Sequence, residues 1–316
     1  MPDKRRIDVH QHIVPPAYAS WLHEKGQAAG GLPIPDWSEE SAIELMDSQQ
    51  IQAGILSIST PGTHLGDDAE ARRMAREMNE FAGALVTKRP DRFGFFATLP
   101  LPDVPAAIDE AAYSFNVLNA DGVALLANTG GQYLGAPALD PLFAELDRRA
   151  AVVFVHPSIL PGPAVPGVPA FAVDFLLDTT RAAVTLVQNG VIQRYPNLKI
   201  ILAHAGGFVP YAAERIAVTV SFISQRPLND VLDDLRSFYF DTALSAPTAL
   251  PSLLAFARPG HVLFGSDWPY APASVVRLMT AELDKYEMSA NQEAAIARDN
   301  ALALFPRLAV SKVRSA

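Results

Sequence analysis

The stretch Ile7-Asp8-Val9-His10-Gln11-His12 decides how this chain is read. An apolar first strand that binds a nucleotide would run into G-x-G-x-x-G or G-x-x-x-x-G-K-[ST]; this one ends in His-Gln-His. Two imidazoles two positions apart share one face of a strand and can clamp a single ion. Working outward, seven more short apolar bursts follow: Ala53 to Ser59, Phe93 to Leu99, Gly122 to Ala127, Val152 to His156, Ile200 to His204, Phe238 to Asp241 and Val262 to Asp267. They lack in/out alternation, the mark of strands buried on both faces in a parallel sheet.

Helical patterns separate them. Ser38 to Gln50 opens with a Ser cap and a Glu in its first turn, and Asp68 to Lys88 carries Arg72, Arg73 and Arg76 on an amphipathic pattern. Pro105 to Leu118, Asp140 to Ala150, Phe171 to Arg194, Val209 to Ser224, Pro247 to Ala257, Ala273 to Tyr286 and Ala290 to Phe305 continue the series. Eight strands alternating with helices predict an α/β fold, a (β/α)8 TIM barrel, with right-handed crossovers favouring closure. A doubly wound open sheet is the structural rival, and the missing phosphate loop speaks against it. With no repeat, low-complexity tract or linker, residues 1–316 are expected to form a single domain. The segment Pro157 to Pro169 follows strand five, where a barrel places an active-site loop, and is expected to be a lid or pocket wall. The tail after Phe305 is expected to be a short frayed end.

Composition narrows the function. The 316 residues carry 25 Lys+Arg against 34 Asp+Glu, a net charge of −9, which excludes a general nucleic-acid binder. At 49% hydrophobic and 19% charged, the chain has material for a large core and not the signature of disorder. It contains no cysteine, so disulfides, iron–sulfur clusters, thiolate nucleophiles and cysteine-held zinc are all excluded, and any metal must be held by His and carboxylates. The charged start Met1 to Arg6 runs straight into strand one without an apolar leader, so a cytoplasmic protein is expected. No uncharged apolar run approaches the ~18 residues of a membrane span, and no membrane role is expected.

Of seven histidines, four fall at predicted strand ends: His10 and His12, His156 in Val-Phe-Val-His-Pro, and His204 in Ile-Leu-Ala-His-Ala-Gly-Gly. Asp267 ends strand eight in Leu-Phe-Gly-Ser-Asp-Trp-Pro. One such His alone would read as a hydrogen-bonded core residue. Five such groups at equivalent ends of four strands converge on one barrel mouth and point to a metal site, of a donor type that suits Zn, Mn, Fe or Ni. Strand four, Gly-Val-Ala-Leu-Leu-Ala-Asn, has no lysine to be carboxylated as a bridge, which favours one ion over two. His23, His64 and His261 break the pattern and are expected to be solvated or structural.

Asp-Val-His-Gln-His-Ile-Val-Pro-Pro at 8 to 16, His156-Pro157, His204-Ala205-Gly206-Gly207 and Gly265-Ser266-Asp267-Trp268-Pro269 together resemble the amidohydrolase superfamily. They look most like its metal-dependent decarboxylase branch, which includes aminocarboxymuconate-semialdehyde decarboxylase, and the resemblance covers nearly the whole chain. Arg92 to Pro102 and Asp178 to Ala183 are similar to the 6-methylsalicylate decarboxylase group within it. The resemblance implies His10, His12, His156 and Asp267 as ligands of one divalent ion per subunit, zinc first and manganese second. It implies His204 as the contact to bound water or substrate. It also implies Arg215, eleven residues after His204, as a catalytic arginine reaching a neighbouring subunit, hence a homodimer or dimer of dimers. The alternative for Arg215 is a surface salt bridge.

This chain departs from the aminocarboxymuconate branch in having no arginine between Arg6 and Arg72, where a substrate-carboxylate arginine is expected beside strand two. That counts against an open-chain dicarboxylate and agrees with a small aromatic acid of the salicylate type. The leading expectation is therefore non-oxidative decarboxylation of an ortho-hydroxybenzoate, 6-methylsalicylate to 3-methylphenol and CO2. Asp267 is the candidate proton donor, Phe171, Phe175 and Trp268 are candidate aromatic walls, and Asn128 is a candidate polar contact. Two rivals stand beside it: metal-dependent hydrolysis of a lactone or amide at the same site, and a non-catalytic barrel that binds an acid or a metal.

Overall fold

The computed structural model describes residues 4–309. Eight parallel strands follow one another in chain order: β1 (Arg6–His12), β2 (Ile51–Ser57), β3 (Phe93–Thr98), β4 (Gly122–Leu126), β5 (Val152–His156), β6 (Lys199–Leu202), β7 (Tyr239–Asp241) and β8 (Val262–Leu263). Residues after β8 close the ring. The Val9 N–H donates to the Phe264 carbonyl at 3.0 Å, Asp267 N–H to the His10 carbonyl at 2.7 Å and His12 N–H to the Trp268 carbonyl at 2.7 Å. These bonds join last strand to first, so the sheet is a barrel and the open-sheet rival falls.

Two apolar layers hold it. Ile7, Val9, Ala53, Ile55, Phe96, Phe154, Ile201 and Leu263 pack inside the ring, small residues facing large. Leu308, Ala301 and Phe305 close its lower end, with the Phe305 ring 5.8 Å from Phe96. The second layer lies between the strands and the helices, and includes Met74 and Met78 from the helix Asp68–Lys88, which the sequence places at the same residues. With the bottom plugged, the C-terminal mouth is the end left for chemistry.

Local differences from expectation have local causes. Phe171 to Arg194 is not one helix: a 3₁₀ turn Ala170–Ala172 leads into Asp174–Gln188, and Gly190 at φ 69° separates Val191–Arg194. Strand eight is regular only to Leu263, and beyond it the backbone continues beside β1 to a left-handed Asp267 at φ 63°. Helices Pro16–Glu24 and Leu228–Arg236 and the hairpin of Asn128–Thr129 with Gln132–Tyr133 lie where no element was expected. Ser38 caps Glu39–Ser48 with Glu39 and Glu40 in the first turn, as expected, and Ser41 is its reciprocal partner. Pro306–Leu308 forms a 3₁₀ turn with Leu308 buried, so this part of the expected tail is anchored. Residues 1–3 and 310–316, which carry the rest of that tail and the chain start, lie outside the described residues. Among the described residues, no helix is long and apolar enough to cross a membrane.

Candidate metal centre

Ile7 and Val9 point into the barrel, and strict alternation would turn His10 and His12 away from it. A register shift between Asp8 and Gln11, three residues of β1 against two steps of β2, resets the alternation and delivers both histidines to the mouth. His156 ends β5, and Asp267 follows β8. The four residues offer ligand atoms that all lie within 4.8 Å of one another, and all four are buried.

The hydrogen bonds around the rings fix what they offer. His10 Nδ1 faces Asp241 Oδ2 at 2.8 Å, His12 Nδ1 faces the Ser57 carbonyl at 3.2 Å, and His156 Nδ1 faces the Pro157 carbonyl at 2.8 Å. Carbonyls and carboxylates accept, so each ring proton sits on Nδ1 and each Nε2 keeps its lone pair. Yet His10 Nε2 and His12 Nε2 are 3.0 Å apart, and Asp267 Oδ1 is 3.2 Å from the first and 3.0 Å from the second. Two neutral imidazole nitrogens and a carboxylate oxygen this close repel one another unless a proton or a metal cation lies among them. The donor set therefore fits one divalent metal ion, with three nitrogens and one oxygen as ligands.

Charge at the site follows the same logic. Without an ion, burial would lower His10, but the Asp241 and Asp267 carboxylates outweigh it and lift the group to about 10, so a proton takes the place at Nε2 that a metal ion would hold. Burial keeps His12 below, and His156 well below, the ordinary imidazole value. Burial would raise Asp267, but His10, His12 and His204 hold its carboxyl well below the usual range. Asp267 is thus an anion at rest.

The backbone that presents these groups is strained and tied down. His204, Ala205 and Asp267 adopt φ of 54°, 55° and 63°, a region that costs a non-glycine residue of order 1 kcal/mol. Asp241 Oδ1 accepts from the His204 N–H at 3.0 Å, and Asp8 accepts from Ser266 N–H at 3.0 Å and Ser266 Oγ at 2.5 Å. Gly265 is required by space: a Cβ there would stand 2.9 Å from His10 Cβ.

Two cavities open above the ligands, and His156 lines both. The smaller, about 350 Å³, also meets His204, Asp267, Phe171, Phe175 and Tyr270. The larger, about 590 Å³, lies over the ends of β2, β3 and β4. His204 Nε2 is 3.3 Å from Asp267 Oδ2, while His204 Nδ1 is buried without a partner. The structure thus brings His10, His12, His156, His204, Asp267, Phe171 and Phe175 to one place.

Other expected residues lie apart from it. Asn128 lines the larger cavity, but its amide is spent on Asp178 Oδ1, the Ile159 carbonyl and the Gly131 N–H, so it braces loops and has no free group for a ligand. Trp268 is packed in the outer core at 6% exposure and lines neither of these cavities; its carbonyl holds His12 N–H. Arg215 is exposed on the helix Val209–Ser224, away from both cavities, and among the described residues its side chain forms no ion pair or hydrogen bond. The surface salt bridge considered for it is therefore absent. His23 is exposed, His64 pairs with Asp68 Oδ1 at 2.9 Å, and His261 faces the Phe238 carbonyl through Nδ1.

Two groups were passed over in the sequence. Asp241 ends β7, as the ligands end their strands, and that position was its only signal. Tyr270 lies three residues after Asp267, edge-on to His12 with ring centroids 5.3 Å apart, and its hydroxyl is buried with no partner.

A family model described as amidohydrolase matches residues 7–307. The chain belongs to the amidohydrolase family. This amidohydrolase is 43% identical to the decarboxylase yanB of Aspergillus niger, over 96% of its own length and 88% of that protein's. It is 38% identical to a 6-methylsalicylic acid decarboxylase of Penicillium expansum, over 96% and 97% of the two chains. Among solved structures, one described as an amidohydrolase II superposes with a TM-score of 0.90 at 33% identity, covering 95% of this chain and 99% of that one.

Proposed function

We propose that this amidohydrolase is a carboxy-lyase that removes CO2 from ortho-hydroxybenzoates, with 6-methylsalicylate, giving 3-methylphenol, as the substrate. The observation that carries the reading is the set of three imidazoles and one anionic carboxylate, converging within 4.8 Å beneath an aromatic-walled cavity. The decarboxylase names of its relatives favour it over hydrolysis at the same site.

His10, His12, His156 and Asp267 would hold the ion, zinc or manganese. When bound, such an ion supplies Lewis acidity and an anchor for adjacent carboxylate and phenolic oxygens. The residues do the rest. Phe171 and Phe175 flank the aromatic ring, and the unpartnered Tyr270 hydroxyl donates to a substrate oxygen. Asn128 and Trp268 act indirectly, bracing the cavity wall and the His12 backbone.

Losing CO2 directly would leave an aryl carbanion, so the ring carbon bearing the carboxylate is protonated first. Asp267 is anionic at rest, and the substrate's own phenolic hydroxyl, the nearest acidic proton, charges it. Asp267 then delivers that proton to the ring carbon, with His204 fixing its Oδ2. The carbon–carbon bond breaks, its electron pair restores the aromatic ring, and the phenolate product takes a proton from water. Arg215, whose side chain has no partner among the described residues, serves the site of a second subunit in a dimer. The test is product analysis: 3-methylphenol and CO2 in equal amounts from 6-methylsalicylate with about one metal per chain. Metal present without CO2 from any phenolic acid refutes the reading.

A further inference from the structure

The larger cavity is more than a gap between loops. It meets the smaller one at His156, and the partition is a pair of short hydroxyl side chains, Thr60 Oγ1 and Ser158 Oγ, 3.5 Å apart. Its volume of about 590 Å³ exceeds the 350 Å³ of the compartment that holds the reacting groups. Its walls include Ile58, Leu65, Leu99, Leu101, Leu126 and Ile159, with Gln27, His64 and Asn128 as polar members, and among the described residues no Lys, Arg, Asp or Glu lines it.

The outer wall is stitched in place. The carboxylate of Asp178 accepts from Asn128 Nδ2 at 2.9 Å, from the Tyr133 hydroxyl at 2.8 Å and from Ser158 N–H at 2.8 Å. One buried group thereby fixes the hairpin after β4 and the segment after His156 together, and Asn128 Nδ2 adds a bond to the Ile159 carbonyl at 3.1 Å. The floor is close-packed, since a Cβ on Gly62 would stand 2.9 Å from Leu126 Cδ1. An uncharged chamber with an aliphatic wall held open in this way is preorganised for an apolar ligand group.

We infer that this chamber receives an alkyl chain on the aromatic ring, so that beside 6-methylsalicylate the site accepts, and binds more tightly, salicylates with an unbranched chain of several carbons ortho to the carboxylate. The inference rests on the proposed decarboxylase function. The position follows from the threshold: His156 is both a member of the metal-binding cluster and the residue common to the two cavities. With the substrate carboxylate held at the cluster that includes His156, a substituent ortho to it would be the one nearest that threshold. The chain passes Thr60 and Ser158 and lies against Leu65 and Ile159, while the reacting carbon stays beside Asp267.

Steady-state kinetics of the metal-loaded enzyme with 6-methyl-, 6-propyl- and 6-pentylsalicylate test this. Each buried methylene is worth at most about fourfold in affinity, so the pentyl acid should show a KM at least about tenfold below the methyl acid, with kcat little changed. Leu65→Trp and Ile159→Trp fill the chamber from opposite walls. Each should raise KM for the pentyl acid at least about tenfold and leave 6-methylsalicylate kinetics as they are. A KM that does not fall along the wild-type series overturns the inference even if neither variant folds, as does a filled chamber that affects both acids equally. Turnover of the methyl acid without a chain-length effect refutes the chamber alone. Failure to decarboxylate any member refutes the proposed function with it.

Discussion

His10 Nδ1 donates to Asp241 Oδ2 at 2.8 Å while the other oxygen of Asp241 accepts from the backbone N–H of His204 at 3.0 Å, so one buried carboxylate orients two histidines of the site. Asp241→Asn keeps the shape but replaces one acceptor by an amide donor, which must face either the His10 ring N–H or the His204 backbone N–H. Metal affinity, measured by competition with a chelator, should fall by about 10- to 100-fold, the range for partners that orient metal ligands. Unchanged affinity would show that His10 does not need this partner.

Metal removal is the broader test. A chelator should abolish CO2 release, and added zinc or manganese should restore it; the ion that restores more turnover identifies the working metal. His12→Ala removes one of the two nitrogens that stand 3.0 Å apart, and the purified variant should retain little metal and no activity. Full activity in a metal-depleted preparation would sink the proposed chemistry.

What the sequence made legible was whatever a period or a strand end announces. All eight barrel strands, the helix Asp68–Lys88 and the cluster of His10, His12, His156 and Asp267 lie where the residues place them, because an apolar burst followed by a polar terminus is a local signal. The two-apart spacing of His10 and His12 was right, but the bulge that turns both to the mouth depends on pairing with β2 and is invisible in β1 alone. Trp268 and Asn128 were misplaced for one reason. Proximity in sequence to Asp267 and to β4 says nothing about which way a side chain leaves a turn; Trp268 leaves toward the helices and Asn128 toward Asp178. Tyr270 was missed because an unpartnered hydroxyl exists only once its surroundings are folded.

That hydroxyl yields a prediction that separates binding from scaffolding. Burial pushes the Tyr270 phenol far above its ordinary value, with Asp267 adding to the rise, so it is a donor at any working pH. If it donates to the substrate, Tyr270→Phe loses a hydrogen bond to a charged group, about 1.5–3 kcal/mol, and KM should rise about tenfold or more. Thermal stability should hold or improve, because removing a buried unpartnered hydroxyl relieves its desolvation cost. A fall in melting temperature with unchanged KM would assign Tyr270 to packing.

Acid sensitivity away from the site should be small. Hydrogen bonds from Arg148, then from Arg149, pull the Glu145 carboxyl down to about 2. A carboxyl lowered in the folded state contributes stability above its unfolded value near 4.5, and that contribution is lost as pH falls toward 2. The cluster lies on an outer helix, where solvent screening keeps such pairs below about 1 kcal/mol, so Glu145→Gln should lower stability by less than that at pH 7. Chemical denaturation at pH 7 and pH 3 should show the penalty shrinking at the lower pH. A constant penalty would mean that the pair is not its source.

Arg215 makes the most specific demand. It sits on an exposed face with Tyr211 four residues before, Val218 three after and Phe222 seven after, one stripe of the helix Val209–Ser224, and these neighbours are 83%, 56% and 78% exposed. A charged group amid bare apolar surface, without a side-chain partner among the described residues, suits a face covered by a second copy. Arg215→Ala should then cut turnover while metal content stays at the wild-type level. His12→Ala should be inactive for the opposite reason, an intact arginine beside a site without metal. Co-expressed, the two inactive chains should form mixed dimers in which the Arg215→Ala subunit keeps its metal and borrows the arginine of its neighbour. About a quarter of wild-type activity should return from random pairing in a dimer. No recovery from a verified mixed dimer would confine Arg215 to its own subunit and remove the shared-site proposal.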